Sequence, residues 1–298
     1  MSQAYSISVG RIYGLQRVCR VWQVPRSTVY EHRTRAKTTR VSRRRGPQGP
    51  CCDEDLVEHI RRVIQESPFH GEGHRKIWAR LRFQGIRTSK DRTRRLMREY
   101  GLQAPQRVGH RHGPKAHDGT IITSQPHETW GTDMTTTVTT REGKAAVFVA
   151  VDHFNAECVG IHASQSQSRF EALEPLRQGV REHFGAFAEN IAAGLMVRHD
   201  HGSQYMADDF QDELAFLGMT ASPSFVREPE GNGCAERFIR TLKENLLWVR
   251  TFETVEELRE TLLEFKKNYN EQWILQRLGY QTPSQARSNA CRPPRKVA

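Results

Sequence analysis

The run AAVFVAV at residues 145–151 constrains the fold of this chain more than any other feature of its sequence. Consecutive apolar residues that are rich in valine are typical of a β-strand buried on both faces. Glu142 and Gly143 precede the run and predict a tight turn before it. Because such a strand needs other elements packed against both of its sides, this part of the chain predicts a sheet between two layers.

The patterns around this run predict the rest of the sheet. β-prone residues at 129–140 and 158–164 place one strand before the run and one after it, with short turns between them. Helical and strand patterns then alternate, with helices predicted at 168–184, 205–217 and 232–248 and strands at 194–199 and 219–222. This order predicts an α/β fold, a mixed five-stranded sheet with helices on both faces, which is the element order of a ribonuclease-H-like fold.

Charge divides the chain of 298 residues into two unlike parts. Residues 1–124 hold 26 Lys and Arg against 10 Asp and Glu, a net charge of +16, whereas residues 125–298 have a net charge of −5. So large a positive excess favours a module that binds a polyanion, and double-stranded DNA is the partner that we expect. No stretch approaches the roughly 18 apolar residues of a membrane span, and the N-terminus lacks a secretory pattern. We therefore expect a cytoplasmic protein with no membrane partner.

The basic part predicts all-helical modules. Residues 15–33 have the spacing of two short helices around a turn, a helix-turn-helix pattern, and a basic linker rich in Gly and Pro follows. Residues 53–101 contain three apolar stripes at helical spacing. The third of these helices is predicted to begin at Thr88 or Ser89 and to end at Gly101.

The third predicted helix of this segment has a face made almost entirely of arginine. A solvated face normally mixes charges of both signs, whereas an arginine face suits contacts with phosphates and base edges. An ordinary charged surface is the alternative. The residues of this domain that we assign to DNA contact are Arg75, Lys76, Arg92, Arg94, Arg95 and Arg98. His70 and His74 lack the further ligands that a zinc site needs, so no zinc is expected.

Three acidic residues stand out in the acidic part. Asp133 lies within a strand pattern, Asp200 directly follows the strand predicted at 194–199, and Glu236 lies near the start of a predicted helix. Because an unpaired buried carboxylate is costly, divalent metal is a good reason for acids in such places. Three carboxylates around two Mg²⁺ ions, with Mn²⁺ able to substitute, would stabilise the attacking and leaving oxygens of a phosphodiester. Taken singly, the three could instead be a surface acid, a helix cap and an i+4 partner of Arg240.

Short motifs around these acids resemble a known family. The motifs are W-x-T-D at residues 130–133, D-x-G-S-Q-Y at 200–205 and N-G-x-x-E at 232–236. Asp200 and Glu236 enclose 35 residues, which is the family's hallmark interval. Residues 71–105 and 278–286 are similar to the family's helix-turn-helix segment and to its C-terminal end. The chain resembles the OrfB-type transposases of the IS-three family of bacterial insertion sequences, in the DDE superfamily that includes the retroviral integrases.

This resemblance implies an integrase catalytic core and a role for each matching residue. The implied site residues are Asp133, Asp200 and Glu236 as catalytic metal ligands, Lys243 and Arg240 as DNA contacts, and Asn232 and His201 as supporting residues. The resemblance assigns no role to His199. The chain departs from the family pattern at one place, because Trp273-Ile274-Leu275 stands where the family commonly has Arg-Pro-His.

The resemblance also implies a reaction and partners. Water would release a 3′-hydroxyl at a transposon end, and that hydroxyl would attack a second phosphodiester in a copy-type pathway. The expected partners are transposon-end and target DNA, further copies of the chain on paired ends, and a first-frame (OrfA) protein or a fusion to it, at the bacterial nucleoid. A sequence-specific DNA-binding regulator with a decayed catalytic core and a ribonuclease-H-type nuclease are the alternative functions.

These observations divide the chain into five parts, with boundaries at the charge division and at polar segments rich in Pro, Gly and His. The parts are a helix-turn-helix-like segment with a basic linker (1–50), a helical DNA-binding domain (51–105), a linker (106–124), an integrase catalytic core with C-terminal helices (125–290) and a basic tail (291–298). We expect the DNA-binding part, about 1–110, to be separable from the catalytic part, about 125–290.

Overall fold

The computed structural model describes residues 3–37, 51–105, 123–223 and 232–291. Contacts divide the chain into two compact units, residues 1–48 and residues 49–298. The two predicted linkers and the basic tail lie almost wholly outside the described residues. Among the described helices, none combines the length and the apolar character that a membrane span requires.

The first unit contains the predicted pair of short helices. A two-stranded antiparallel hairpin of β1 (Tyr5–Ser6) and β2 (Arg11–Ile12) precedes α1 (Gly14–Val21) and α2 (Arg26–Lys37). Pro25 stands directly before α2, where its fixed φ is compatible with a helix start. The helix pair predicted from residues 15–33 is therefore confirmed, whereas the hairpin was not predicted.

Three helices form the domain at residues 51–105. They are α3 (Asp53–Glu66), α4 (His74–Phe83) and α5 (Lys90–Glu99). Ser89 caps α5 as predicted, because its hydroxyl accepts a hydrogen bond from the backbone N–H of Arg92 at 3.1 Å. The predicted apolar stripes meet in one buried core that includes Leu56, Ile60, Val63, Ile77, Leu81, Leu96 and Met97.

Five strands form the predicted mixed sheet, namely β3 (Thr129–Thr139), β4 (Gly143–Asp152), β5 (Cys158–Ser164), β6 (Met196–His199) and β7 (Thr220–Pro223). Their order across the sheet is β5-β4-β3-β6-β7. The pairs β3–β4 and β4–β5 are antiparallel, while β6 and β7 run parallel to β3. The central strand β3 therefore has an antiparallel neighbour on one side and a parallel neighbour on the other.

Helices cover both faces of this sheet and are α6 (Arg169–Phe184), α7 (Ser203–Met206), α8 (Asp208–Phe216), α9 (Gly233–Leu242), α10 (Val255–Gln272) and α11 (Pro283–Ala290). Alternate residues of β4 pack in two different apolar cores, one on each face of the sheet. Val147 and Val149 pack with residues of α9 and α10, whereas Ala146 and Phe148 pack with residues of α6 and α8. Because both sets are buried, β4 has no polar side, which explains its uninterrupted apolar run.

The helix predicted at 232–248 is not a single α-helix. The α-helical part ends at Leu242, and residues Lys243–Leu247 form a π-helical segment. Asn245 accounts for the change, because its side-chain Nδ2 donates to the carbonyl of Thr241 at 2.8 Å. When a side chain donates to a carbonyl that normally accepts from the backbone N–H four residues later, the helical turn widens at that point.

Gly160 of β5 tests how tightly the sheet and α6 pack. A Cβ atom at this residue would overlap the backbone carbonyl of Pro175 on α6. We expect Gly160→Ala to lower the free energy of unfolding by about 1–3 kcal/mol, because the backbone of α6 must shift. Urea unfolding measures the change. Gly233→Ala is the control, since a Cβ there meets open space; equal stability of the two variants would contradict the close approach.

Candidate active site

The register between β3 and β6 sets two of the predicted acids side by side. Gly131 pairs with Arg198 in this parallel pair, so two residues further along Asp133 comes next to Asp200, the first residue after β6. Paired residues of neighbouring strands project from the same face of a sheet. Asp133 is also opposite Val149 of β4, which packs in the core under α9 and α10. That face of the sheet therefore carries both acids.

Glu236 lies on a helix that packs over the same face of the sheet. It lies in the first turn of α9, whose buried residue Phe238 packs in the core on the face that carries Asp133. Lys243 follows two turns later, at the start of the π-helical segment. The charges of Asp200, Glu236 and Lys243 all act on the carboxyl group of Asp133. The structure thus brings the three predicted acids and the predicted lysine into one site.

The electrostatics of this site disfavour its own negative charge. Burial raises the pKa of Asp133 to about 6, and repulsion from Asp200 and Glu236 acts in the same direction. The backbone N–H of Met134, which donates to Asp133 Oδ1 at 2.7 Å, and the charge of Lys243 lower this pKa without cancelling the rise. Burial also raises the pKa of Glu236. The site therefore favours any species that brings positive charge to the carboxylates.

The donor set fits a divalent metal ion. Asp133, Asp200 and Glu236 offer hard carboxylate oxygens, the ligands that Mg²⁺ prefers. A bound cation would neutralise the repulsion that raises the pKa of Asp133. As they stand, no three Asp, Glu, His or Cys side chains in the described ranges form a ready-made cluster for an ion. Holding one therefore requires the three carboxylates to turn toward each other.

Asn232 fastens the start of α9 to β3. Its Nδ2 donates at 2.9 Å to the carbonyl of Thr132, the residue before Asp133, and Asn232 is 5% exposed. Its Oδ1 and the Nε2 of His153 close over Gly131, where a Cβ atom would lie 2.5 Å and 2.7 Å from them. Glycine at position 131 is what allows Asn232 to approach the strand. Sequence patterns identified Asn232 as a supporting residue but missed Gly131 and His153.

The two histidines that flank Asp200 differ in their surroundings. His199 belongs to the other face of the sheet, where its ring stacks on Tyr205 with 5.7 Å between centroids, and burial lowers its pKa. Its Nδ1 donates to the carbonyl of Asp200 at 2.7 Å. His199 thus supports the turn after β6 instead of facing the acids. His201 is exposed in the loop that follows Asp200.

The predicted arginine face of α5 divides into two groups. Arg92 and Arg95 form ion pairs with Asp53 of α3 at 2.7 Å and 2.6 Å, so part of their charge is neutralised within the domain. Arg94 and Arg98 are exposed; Arg94 has an ion pair with Asp91 of its own helix at 3.5 Å, and its side chain is still 64% exposed. Of the four arginines, these two remain best placed to reach a ligand outside the chain.

Three other residues that were assigned to DNA contact have partners within the chain. The partners are Glu244 for Arg240 (3.0 Å), Gln276 for Arg75 (3.1 Å) and the ring of Trp273 for Lys76 (2.7 Å from Nζ to the centroid). Arg240 therefore pairs with Glu244 and not with Glu236. Trp273 is a residue whose role sequence patterns missed, although it lies where the chain departs from the family pattern.

Comparison with family models matches most of residues 49–298. A model described as an HTH-like domain matches residues 52–110. Two models described as an integrase core domain match residues 123–229 and 217–283, so together they span more than half of the chain. The first match agrees with the three-helix domain, and the other two cover the sheet with its three acids.

The chain is also similar to individual proteins. Transposase InsD for insertion element IS2A/D/F/H/I/K of Escherichia coli is 26% identical over 246 residues, which cover 80% of this chain and 80% of the relative. Transposase InsD for IS2D of Escherichia coli strain K12 has the same identity and coverage. A chain of the simian T-cell lymphotropic virus intasome in complex with PP2A regulatory subunit B56 gamma has 17% identity and a TM-score of 0.45, with 74% of each chain covered. The HTLV-2 integrase catalytic core domain in complex with magnesium has 15% identity and a TM-score of 0.41, with 55% of this chain and 98% of that chain covered.

The raised pKa of Asp133 predicts that the free energy of unfolding depends on pH. Between the ordinary pKa of 3.8 and about 6, the folded state holds a proton that the unfolded state has lost, so stability falls as the pH rises through this range. Asp133→Asn removes the charge and keeps the acceptor for Met134. Without metal, we expect this variant to be up to about 3 kcal/mol more stable than wild type above pH 6 and no more stable near pH 4.

Urea unfolding at pH 4 and pH 7 in the presence of a chelator measures this difference. Asp212→Asn is the matched control, because Asp212 is an exposed acid on α8. An Asp133→Asn variant that is equally stable relative to wild type at both pH values would show that Asp133 ionises normally in the folded chain.

Proposed function

The chain belongs to the IS-three family of insertion-sequence transposases, and from that premise we propose which of its residues cleave transposon ends and join them to target DNA. It is a DDE polynucleotidyl transferase of DNA transposition. The observation that carries the proposal is the register that sets Asp133 beside Asp200, with Glu236 held over the same face by α9. We propose these three residues as the catalytic triad.

The proposed reaction has two steps of the same kind. In the first, the oxygen of water forms a bond to phosphorus and the bond to the 3′ oxygen breaks, which leaves a 3′-hydroxyl on the transposon end. In the second, that hydroxyl attacks a phosphorus of target DNA, and the 3′ oxygen of the target strand leaves. Neither step needs a covalent intermediate with the protein. The side chains need only hold the metal, orient the DNA and neutralise charge at the reacting phosphate.

The chain's own residues have distinct tasks in this proposal. Asp133, Asp200 and Glu236 hold the divalent metal on which the enzyme depends, which we propose to be Mg²⁺ with Mn²⁺ as a substitute. Bound metal supplies a stronger nucleophile and charge neutralisation at the leaving oxygen. Asn232 fixes α9 against β3 and so sets the position of Glu236. Lys243 contacts a phosphate as a point charge.

The finer partners of the reaction belong to the same proposal. Arg94 and Arg98, which α5 exposes, are the residues of the helix-turn-helix-like domain that we assign to DNA. Further copies of the chain assemble on paired ends, and a first-frame protein or fusion adds DNA binding. Because it acts on DNA, we propose that the protein works at the nucleoid of the cytoplasm. Because all three acids are present, we do not favour a DNA-binding regulator with a decayed core, and the helix-turn-helix-like domain disfavours a ribonuclease-H-type nuclease.

A cleavage and joining assay tests the triad. The substrate is a labelled duplex that carries the terminal repeat next to this reading frame, with Mg²⁺ or Mn²⁺ and plasmid DNA as the target. Asp133→Asn, Asp200→Asn and Glu236→Gln each remove one ligating charge and keep the side-chain shape. We expect each variant to lose at least about a hundredfold in both steps while it still binds the duplex. Retained cleavage by any one variant would remove that residue from the triad, and Asp212→Asn should match wild type.

Lys243 is tested by the amount of DNA that the enzyme needs. If Lys243 contacts a phosphate, Lys243→Ala loses a charge-assisted hydrogen bond. We expect this variant to lower the strand-transfer yield at limiting DNA by about tenfold. Saturating DNA should restore much of the yield. Lys267→Ala is the control, since Lys267 is an exposed lysine on α10 of the same domain. If both variants behave like wild type at limiting DNA, Lys243 is only a surface lysine.

A further inference from the structure

The helix-turn-helix-like domain and the catalytic domain share one apolar core. Phe69, in the loop between α3 and α4, is 5% exposed and enters the core under α9 and α10. Its ring centroid lies 4.8 Å from that of Trp273 and 6.2 Å from that of Phe265. A residue of the helix-turn-helix-like domain is therefore part of the core of the catalytic domain. Two domains joined only by a flexible tether would not share a core in this way.

Trp273 is the centre of this contact. It directly follows α10, and one neighbour in its stack is Tyr269 at 6.0 Å between centroids. Over the indole, Nζ of Lys76 lies 2.7 Å from the ring centroid, and the Lys76 side chain is only 19% exposed. A cation over an indole is attracted by the ring quadrupole, and more strongly where water is excluded. The side chain of Lys76 thus belongs to the contact between the domains.

A buried acid on the helical domain organises the same contact. Glu72 has a side chain that is 2% exposed, and it accepts from Arg80 Nε at 2.7 Å and from Arg80 Nη2 at 3.0 Å. The same carboxylate lies 3.6 Å from Lys76 Nζ. Arg80 Nη2 also donates to the carbonyl of Gln272, the last residue of α10, at 3.1 Å. Two cations of α4 are therefore held against the catalytic domain by one carboxylate.

The contact extends to the helix that carries Glu236. The backbone N–H of His70 donates to Oδ1 of Asn245 at 2.8 Å. Asn245 lies in the π-helical segment that begins at Lys243 and continues α9. Nine residues of nearly continuous helix, roughly 13 Å, separate Asn245 from Glu236. A hydrogen bond and a nearly continuous helix thus connect the helical domain to the third acid.

We propose that these contacts, which we call the domain seam (Phe69, Lys76, Asn245 and Trp273), position DNA for cleavage. Lys76 and Arg80 of α4 contact the catalytic domain, whereas the side chain of Arg94 on α5 is 64% exposed. The seam holds α5 at a fixed distance from the triad, so the phosphodiester is cut at a fixed distance from the sequence that α5 contacts. This inference rests on the proposed function. Lys76 and Trp273 are positioning residues in it, and Lys76 is not a DNA contact.

The test compares three measurements on the full-length chain. Hydrogen exchange of residues 67–73 reports whether the seam is closed, DNA affinity reports contact with the duplex, and sequencing of the cleaved ends of the terminal-repeat duplex reports where the cut falls. The variants are Lys76→Met, which keeps the apolar stem, Trp273→Ala, and Trp273→Phe, which keeps an aromatic ring. Arg94→Ala is the contrasting variant on α5, and Lys267→Met is the matched lysine control.

We expect Lys76→Met and Trp273→Ala to speed exchange of residues 67–73 by about tenfold and to leave DNA affinity within about twofold of wild type. Cleavage at the wild-type position should fall by about tenfold or more, with cuts at neighbouring phosphodiesters, because a small misplacement of the reacting bond is costly. Trp273→Phe should restore the cut position. Arg94→Ala should weaken binding without moving the cut.

Two results would overturn the inference while wild-type cleavage upholds the proposed function. If Lys76→Met weakens DNA binding and leaves the cut position unchanged, Lys76 is a DNA contact. If the seam opens by hydrogen exchange and the cut stays at one position, the seam only stabilises the fold. Should Trp273→Ala fail to fold, Lys76→Met decides the matter alone. Wild type that cuts no terminal-repeat duplex would count against the proposed function itself.

Discussion

The whole site depends on the register of β3 between its two neighbours. The antiparallel pairing with β4 runs from Trp130 to Thr139 and decides which face Asp133 occupies, while the parallel pairing with β6 sets Asp200 beside it. A slip by one residue would turn Asp133 into the core under α6 and push Trp130 out of that core. Trp130 disfavours such a register shift, because it is fully buried on the opposite face and packs closely against Gly179. The alternation of side chains along one strand thereby fixes the position of a carboxylate of the candidate site.

Both faces of the sheet hold an apolar core, and the face toward α9 and α10 also carries the three acids. On the side of α6 and α8, alternate residues of β4 meet apolar side chains, and even His199 is held there by stacking on Tyr205. On the side of α9 and α10, the same strands carry carboxylates whose mutual repulsion and burial raise the pKa of Asp133. The free-energy cost of that arrangement is borne by the continuous burial of β4, which packs on both faces.

Sequence patterns predicted the elements and the three acids, since both depend on local information. Periodicity gives strands and helices, the end of β6 gives Asp200, and motif spacing gives Glu236. The patterns failed where a side chain from a distant segment decides the outcome. The α-helix at 233–242 ends early because Asn245 bonds to Thr241 and accepts from His70, which is far away in sequence. Arg92 and Arg95 look alike on a helical wheel with Arg94, and only the position of Asp53 separates them.

Net charge predicts which part of the chain binds a polyanion, but it does not predict which of its cations make the contact. The first 124 residues carry a net charge of +16, yet several of their cations are used inside the chain. Lys76 and Arg80 hold two domains together through Glu72 and Trp273, so their charge contributes to the long-range field while their side chains are unavailable for contact. Because Lys76 and Arg80 of α4 are engaged with the catalytic domain, we assign the DNA contacts of the helix-turn-helix-like domain to exposed residues of α5. The cations that we expect to contact nucleic acid are therefore those, such as Arg94 and Arg98, whose side chains are exposed and do not contact the catalytic domain.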